Sequence, residues 1–148
     1  MRVADVMTPE PAVVEPDEPL LKAAELMREL DVGFVPVVDS RATMRAVGVI
    51  TDRDIAIRDV AKAHHRDRTA RDVMTGGALV TVPPKGPVED AIRAMKRAAV
   101  RRALVTDETG RLLGVVATAD LLREADAIGH DWLEALVEAL AEPAALHR

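Results

Sequence analysis

The sequence holds no cysteine and no tyrosine, a single phenylalanine (Phe34) and a single tryptophan (Trp132). Without cysteine there is no disulfide framework, no thiol nucleophile and no thiolate metal site. The scarcity of rings removes the stacking platforms used by single-strand nucleic-acid binders. Basic charge is also short: 20 Lys+Arg against 25 Asp+Glu leave a net charge of −5, which argues against a polyanionic partner such as nucleic acid. No stretch reaches the roughly 18 apolar residues that span a bilayer. The opening Met1–Pro11 lacks the apolar core of a signal peptide, so a cytoplasmic location without membrane attachment is expected. What the chain does have is aliphatic side chains. Hydrophobic residues make up 49% and charged residues 30% of 148 positions, the profile of one ordinary globular domain or two small ones.

The chain repeats itself. Val3-Ala4-Asp5-Val6-Met7-Thr8 returns as Ala70-Arg71-Asp72-Val73-Met74-Thr75, shifted by 67 positions from 3 to 70. Val13 and Pro16 match Val80 and Pro83, and Ala23 and Met27 match Ala91 and Met95. Phe34–Asp39 faces Arg102–Asp107, and Gly48–Asp54 faces Gly114–Asp120. A period this long exceeds the usual solenoid range, so two copies of a small domain are expected. The boundaries read as 1–65 for the first, 66–127 for the second and 128–148 for a C-terminal amphipathic helix and tail.

Each copy reads as β-α-β-β-α, an α+β class. In the first, Ala12–Glu15 is a short strand and Pro19–Leu30 a helix, with Leu20, Ala23, Ala24, Met27 and Leu30 at helical spacing. Phe34–Val38 and Arg45–Ile50 form a hairpin, and a second helix runs from Thr51 to about Ala63. The second copy gives Leu79–Val82, Val88–Ala99, Ala103–Thr106, Leu112–Val116 and Thr118–Ala127. Strands that are apolar on both faces need cover on both. The expected arrangement is therefore a pseudo-twofold pair, with a cleft between the copies.

Three stretches carry charge or pattern outside that scheme. Arg53–Arg71 concentrates Arg53, Arg58, Lys62, Arg66, Arg68 and Arg71 with His64 and His65, and reads as a solvated, salt-bridged helix and linker. In Asp131–Ala141, Trp132, Leu133, Leu136, Val137 and Leu140 share one helix face, which either caps its own chain's core or meets a second subunit. Adjacent histidines on a helix diverge and chelate poorly, so His64-His65, His130 and His147 give no metal site.

Chemistry centres on Gly48-Val49-Ile50-Thr51-Asp52-Arg53-Asp54, where a strand passes directly into a helix. Thr51 falls at the N-cap and Asp54 three residues in. Unpaired N–H groups there attract anions, and a carboxylate can accept two hydrogen bonds from a ribose diol. The same spacing is also a capping box, which needs no ligand.

Taken together, the duplicated order, the Asp-Val-Met-Thr starts, the strand Val35-Pro36-Val37-Val38-Asp39 and the Gly-Val-Ile-Thr-Asp-Arg-Asp ending resemble a tandem pair of CBS (cystathionine β-synthase) domains, over about Val3–Ala127. That resemblance implies a regulatory pair without catalytic activity. It would bind AMP, ADP or ATP, with NAD or S-adenosylmethionine as other members of the class, and need no cofactor. Stand-alone pairs of this family form homodimers, a disc of four units, and signal to an effector protein that the sequence does not identify. The resemblance places Asp54 on the ribose hydroxyls and Thr51 beside the phosphate, with Arg101 and Arg102 reaching the phosphates. Val14, Val35 and Val37 would wall the adenine. In the second copy Asp120 matches the ribose aspartate, but Ala117 replaces the threonine and Thr118 stands one residue later. Copy one correspondingly has Gly33 and Phe34 where copy two has Arg101 and Arg102, so one strong and one weaker site are expected. The competing reading is an oligomerisation module whose clefts stay empty. No phosphate loop, Ser-His-Asp arrangement or metal motif supports an enzyme.

Overall fold

The repeated sequence order becomes a repeated element order. A computed structural model describes residues 1–62, 67–77 and 79–141. His64, His65 and Arg66 of the basic stretch, and His147 and Arg148 of the tail, lie outside the described residues. In chain order the elements are helix α1 (Val3–Val6), strand β1 (Thr8–Pro9), helix α2 (Leu20–Leu30), strands β2 (Phe34–Val38) and β3 (Ala46–Thr51), and helix α3 (Asp52–Arg58), followed by a 3-10 turn at Val60–Lys62. Then come α4 (Ala70–Val73), β4 (Thr81–Val82), α5 (Val88–Ala98), β5 (Arg102–Thr106), β6 (Leu112–Ala117), α6 (Thr118–Arg123), α7 (Ala125–Ile128) and α8 (His130–Ala141).

These elements gather into two compact units, and the units do not follow the sequence repeat. One is Pro11–Leu79; the other joins Met1–Glu10 to the chain from Val80 onward. The leading Val-Met-Thr segment of each copy therefore packs into the unit built by the other copy's main body. Backbone bonding is the reason. Val3 N–H donates to Gly86 O (2.9 Å) and Val88 N–H to Met1 O (3.1 Å). The first unit repeats this with Ala70 N–H to Glu18 O and Leu20 N–H to Arg68 O, both 2.9 Å. Val3 then enters the core of Val82, Val88, Ile92, Met95, Val105 and Leu121, while Ala70 and Val73 enter that of Val14, Leu20, Val35, Val37 and Ile50.

The sheets carry the same imprint. In the Val80-containing unit the order is β1-β6-β5-β4, antiparallel except for β4 beside β5. In the other unit β2 and β3 pair antiparallel, with Val14 bridging Val37 on one edge and Thr75 bridging Val49 on the other. The expected strand at Ala12–Glu15 is thus a single bridge at Val14. A side chain at Gly114 would put Cβ 2.6 Å from Met7 Sδ and 2.8 Å from Thr8 O; at Gly48 it would meet Met74 Sδ at 2.8 Å and Thr75 O at 3.0 Å. The repeated Met-Thr and the repeated strand glycine are two sides of one close contact.

Helix bounds differ from the periodicity at their ends. Leu20 and Ala23 are buried as expected, but Leu30 is exposed in the last turn before Asp31 turns left-handed at φ 53°. The helix from Thr51 stops at Arg58, because Arg58 reaches back to Val73 O (3.0 Å) and Thr75 Oγ1 (2.9 Å), and Asp59 pairs with Arg68 at 3.4 Å. The helix expected over Thr118–Ala127 is broken at Glu124. In α8, Leu136 is buried against the second core beside Trp132 and Ala135, whereas Val137 is exposed. The apolar stripe is used in part, on its own chain.

Both hairpin turns are closed by an aspartate. Asp39 accepts from Ser40 N–H, Arg45 N–H and the Thr43 hydroxyl, and Asp107 from the Thr109 hydroxyl, Thr109 N–H and Arg111 N–H. The hydroxyl of Thr43 holds the Asp39 carboxyl below its ordinary value of 3.8, and that of Thr109 does the same for Asp107. The N–H and then the hydroxyl of Thr69 lower Asp72 likewise. A folded-state value below the unfolded one stabilises the fold above pH 3.8, and that contribution disappears as pH falls through the lowered folded values. Acid titration by circular dichroism should show stability declining below about pH 4, with a shallower decline in Asp72→Asn and Asp107→Asn; identical slopes would dismiss these carboxylates as the source.

Candidate functional site

The strand-to-helix junction is built from the strand outward. β3 ends at Thr51, which is extended (φ −105°, ψ 161°) and pairs across the hairpin with Phe34. Asp52 N–H donates to Gly33 O at 3.0 Å, fixing the start of α3 against the start of β2. The space at Gly33 is needed, since a Cβ there would lie 2.8 Å from Asp52 Oδ2. Asp54 N–H donates to Thr51 Oγ1 at 3.0 Å and Thr51 N–H to Asp54 Oδ2 at 3.0 Å. The capping box is therefore complete without a ligand.

Asp54 is deeply placed, at 3% exposure. Its Oδ1 lies 3.8 Å from Arg58 Nη1, and Arg58 is itself anchored on Val73 and Thr75. Sequence reasoning placed Arg58 only in a basic stretch. Its position four residues after Asp54, on the same helix face, was the available signal.

The second copy repeats the geometry with one group missing. Ala117 N–H donates to Asp120 Oδ2 at 3.0 Å, but Ala117 has no hydroxyl to return the bond. Arg102 pairs with Ala117 across the hairpin, and Thr118 N–H donates to Arg101 O at 2.9 Å. Thr118 is buried, and Arg123 Nη1 donates to Asp120 Oδ1 at 3.1 Å. The Asp120 side chain is the more open carboxylate, at 17% against 3% for Asp54. Hydroxyl content thus favours the first copy and access the second. The Arg101 guanidinium donates from Nη2 to the carbonyl of Leu140, near the end of α8, at 2.9 Å.

The expected adenine wall is placed differently. Val14, Val35 and Val37 are each 0% exposed and sit in the first unit's core with Leu20, Ile50, Ala70 and Val73. Strand alternation cannot separate a wall from an interior, and here the three side chains are interior. Among the described residues no three histidines, cysteines or carboxylates gather as metal ligands, and no helix is long and apolar enough to cross a membrane.

A duplicated β-α-β-β-α unit with a Thr-x-x-Asp junction in its first copy defines a class. The CBS domain family model matches residues 3–60 and again 70–127, so the chain belongs to the CBS domain family and carries two copies in tandem. Among particular proteins, it is 36% identical over 119 residues to the CBS domain-containing protein YhcV of Bacillus subtilis, covering 80% of this chain and 81% of that one. It is similar in structure to CBSX2 in complex with AMP, at 32% identity and TM-score 0.72, covering 86% of this chain and 97% of that one. It is also similar to Hypoxic Response Protein I with two coordinated zinc ions, at 30% identity and TM-score 0.73, covering 84% and 99%. Two archaeal relatives are longer, and the chain spans 54% and 63% of them.

Proposed function

We propose that this chain is a regulatory sensor that binds an adenine nucleotide of the AMP type and catalyses no reaction. CBS pairs are generally regulatory rather than catalytic. The observation that carries the ligand is the AMP complex of a relative 32% identical over 86% of this chain, and the Thr51–Asp54 junction is chemically suited to it. Asp54 keeps Oδ2 on the Thr51 N–H and turns Oδ1 to the ribose hydroxyls. The Thr51 hydroxyl donates toward the phosphate; in the second copy Arg101 and Arg102 stand at the Ala117–Asp120 junction and supply the cationic charge that an anionic tail needs. Occupancy passes to an effector protein through a change in the pair, in a homodimer of the kind stand-alone pairs form.

A thermal-shift panel of adenosine, AMP, ADP, ATP, NAD and S-adenosylmethionine tests this. A ligand at 100 times its Kd should stabilise the fold by about 2.7 kcal/mol. For a chain of this length each kcal/mol raises Tm by about 2–4 °C. No shift with any member would leave a duplicated oligomerisation scaffold instead.

A further inference from the structure

We infer that α8 is a displaceable clasp on Arg101, so that the C-terminal helix and an anionic ligand compete for the same guanidinium. The inference rests on the nucleotide reading above and adds its regulation. Three contacts fasten α8 beyond its apolar seat. The Arg93 guanidinium lies 4.7 Å from the Trp132 ring centroid, Lys96 Nζ pairs with Glu138, and Arg101 Nη2 holds the Leu140 carbonyl at 2.9 Å. They differ in kind and in place. Trp132 and Leu136 fix the helix through the core, and Leu136 is 1% exposed. The Glu138 and Leu140 contacts hold only the last turn and lie at the surface, where ion pairs are weak.

The last described turn of α8 is met by a cation from outside the helix. Helix ends leave up to four carbonyls unpaired and carry a partial negative charge. Among the described residues the last turn of α8 contains no basic residue of its own. Arg101, immediately before β5, supplies one to the Leu140 carbonyl. A phosphate is a stronger acceptor for a guanidinium than a peptide carbonyl, because both partners are charged and two parallel bonds can form. Engaging Arg101 with phosphate therefore releases the end of α8 while its Leu136 seat stays in place. Linkage makes the effect reciprocal: whatever loosens the last turn strengthens ligand binding by the same factor. Occupancy then has a physical output, a C-terminal segment that is held without ligand and freed with it.

The test uses hydrogen exchange and calorimetry on the full chain, with adenosine and AMP as probes. AMP should speed amide exchange over 137–141 while adenosine, which lacks phosphate, leaves it unchanged. Leu140→Pro, which breaks the last turn without altering charge, should tighten AMP about fivefold, the low end of allosteric couplings, and leave adenosine unaffected. Should AMP bind with no change in exchange over 137–141, or with equal Kd in Leu140→Pro, the clasp is overturned and the nucleotide reading stands. Absence of AMP binding in both proteins overturns the nucleotide reading, and the clasp with it.

Discussion

Asp54→Asn should weaken AMP binding about 10- to 100-fold while leaving the unfolding temperature nearly unchanged. The affinity estimate follows from losing hydrogen bonds to a charged acceptor, roughly 1.5–3 kcal/mol, at about 1.4 kcal/mol per decade. The stability expectation follows from the geometry. An asparagine oxygen can still accept the Thr51 N–H that Asp54 Oδ2 accepts at 3.0 Å, so the reciprocal cap with Thr51 survives. Asp54→Ala would remove cap and ligand contact together and could not separate them. Calorimetric titration with AMP beside a thermal melt gives both quantities. An affinity loss without a melting shift assigns Asp54 to the ligand; unchanged affinity assigns it to capping alone. Asp120→Asn belongs in the same series. The missing hydroxyl at Ala117 favours a small effect there, whereas the greater openness of Asp120 favours a large one. Equal losses from the two variants would rule out a single strong site per chain.

The element order was legible because duplication supplies an internal comparison. Phe34–Val38 and Arg102–Thr106 are observed strands, and each hairpin partner follows where the β-branched runs place it. What periodicity could not show is which body the Val-Met-Thr segments join. Val3–Thr8 opens the first copy in sequence, and no local pattern announces that its backbone bonds go to Pro84 and Gly86. The one available trace was the pairing of a repeated methionine with a repeated strand glycine, since each small residue accommodates the sulfur of a Met beside it.

The candidate site was legible in its spacing and not in its depth. Thr-x-x-Asp places the two side chains together whatever surrounds them, and both bonds of the box are present. Beside the buried Asp54, Arg58 folds back on Val73 and Thr75, contacts 15 and 17 residues away in sequence that spacing alone does not show. The valines show the same limit from the other side. A β-branched residue facing inward looks identical in sequence whether its neighbour is a ligand or a leucine, and Val14, Val35 and Val37 have Leu20 and Ile50. In α8 the five-residue stripe promised a broad apolar face, but a single helix laid on α5, α6 and α7 buries only the residues at its line of contact, Leu136 foremost.

The exchanged segments carry the largest expected effect on stability. Val3→Asp puts a carboxylate at a position 0% exposed, among Val82, Val88, Ile92, Met95 and Leu121. Burying an unpaired ion costs several kcal/mol even after relaxation, against a total stability of about 5–15 kcal/mol for a domain. The unit containing β5 and β6 should therefore lose most of its hydrogen-exchange protection, while β2 and β3 keep theirs. Val73→Asp should do the converse, since Val73 is 0% exposed in the core that contains Val35 and Ile50. If either charged variant fails to accumulate, Val3→Ala and Val73→Ala give the same map at lower amplitude, removing two buried carbons at about 0.8 kcal/mol each before any cavity contribution. Were the units to follow the order of the sequence, Val3 substitutions would strike β2 and β3 instead. That outcome would contradict the exchange, because a side chain can unsettle first only the core into which it is packed.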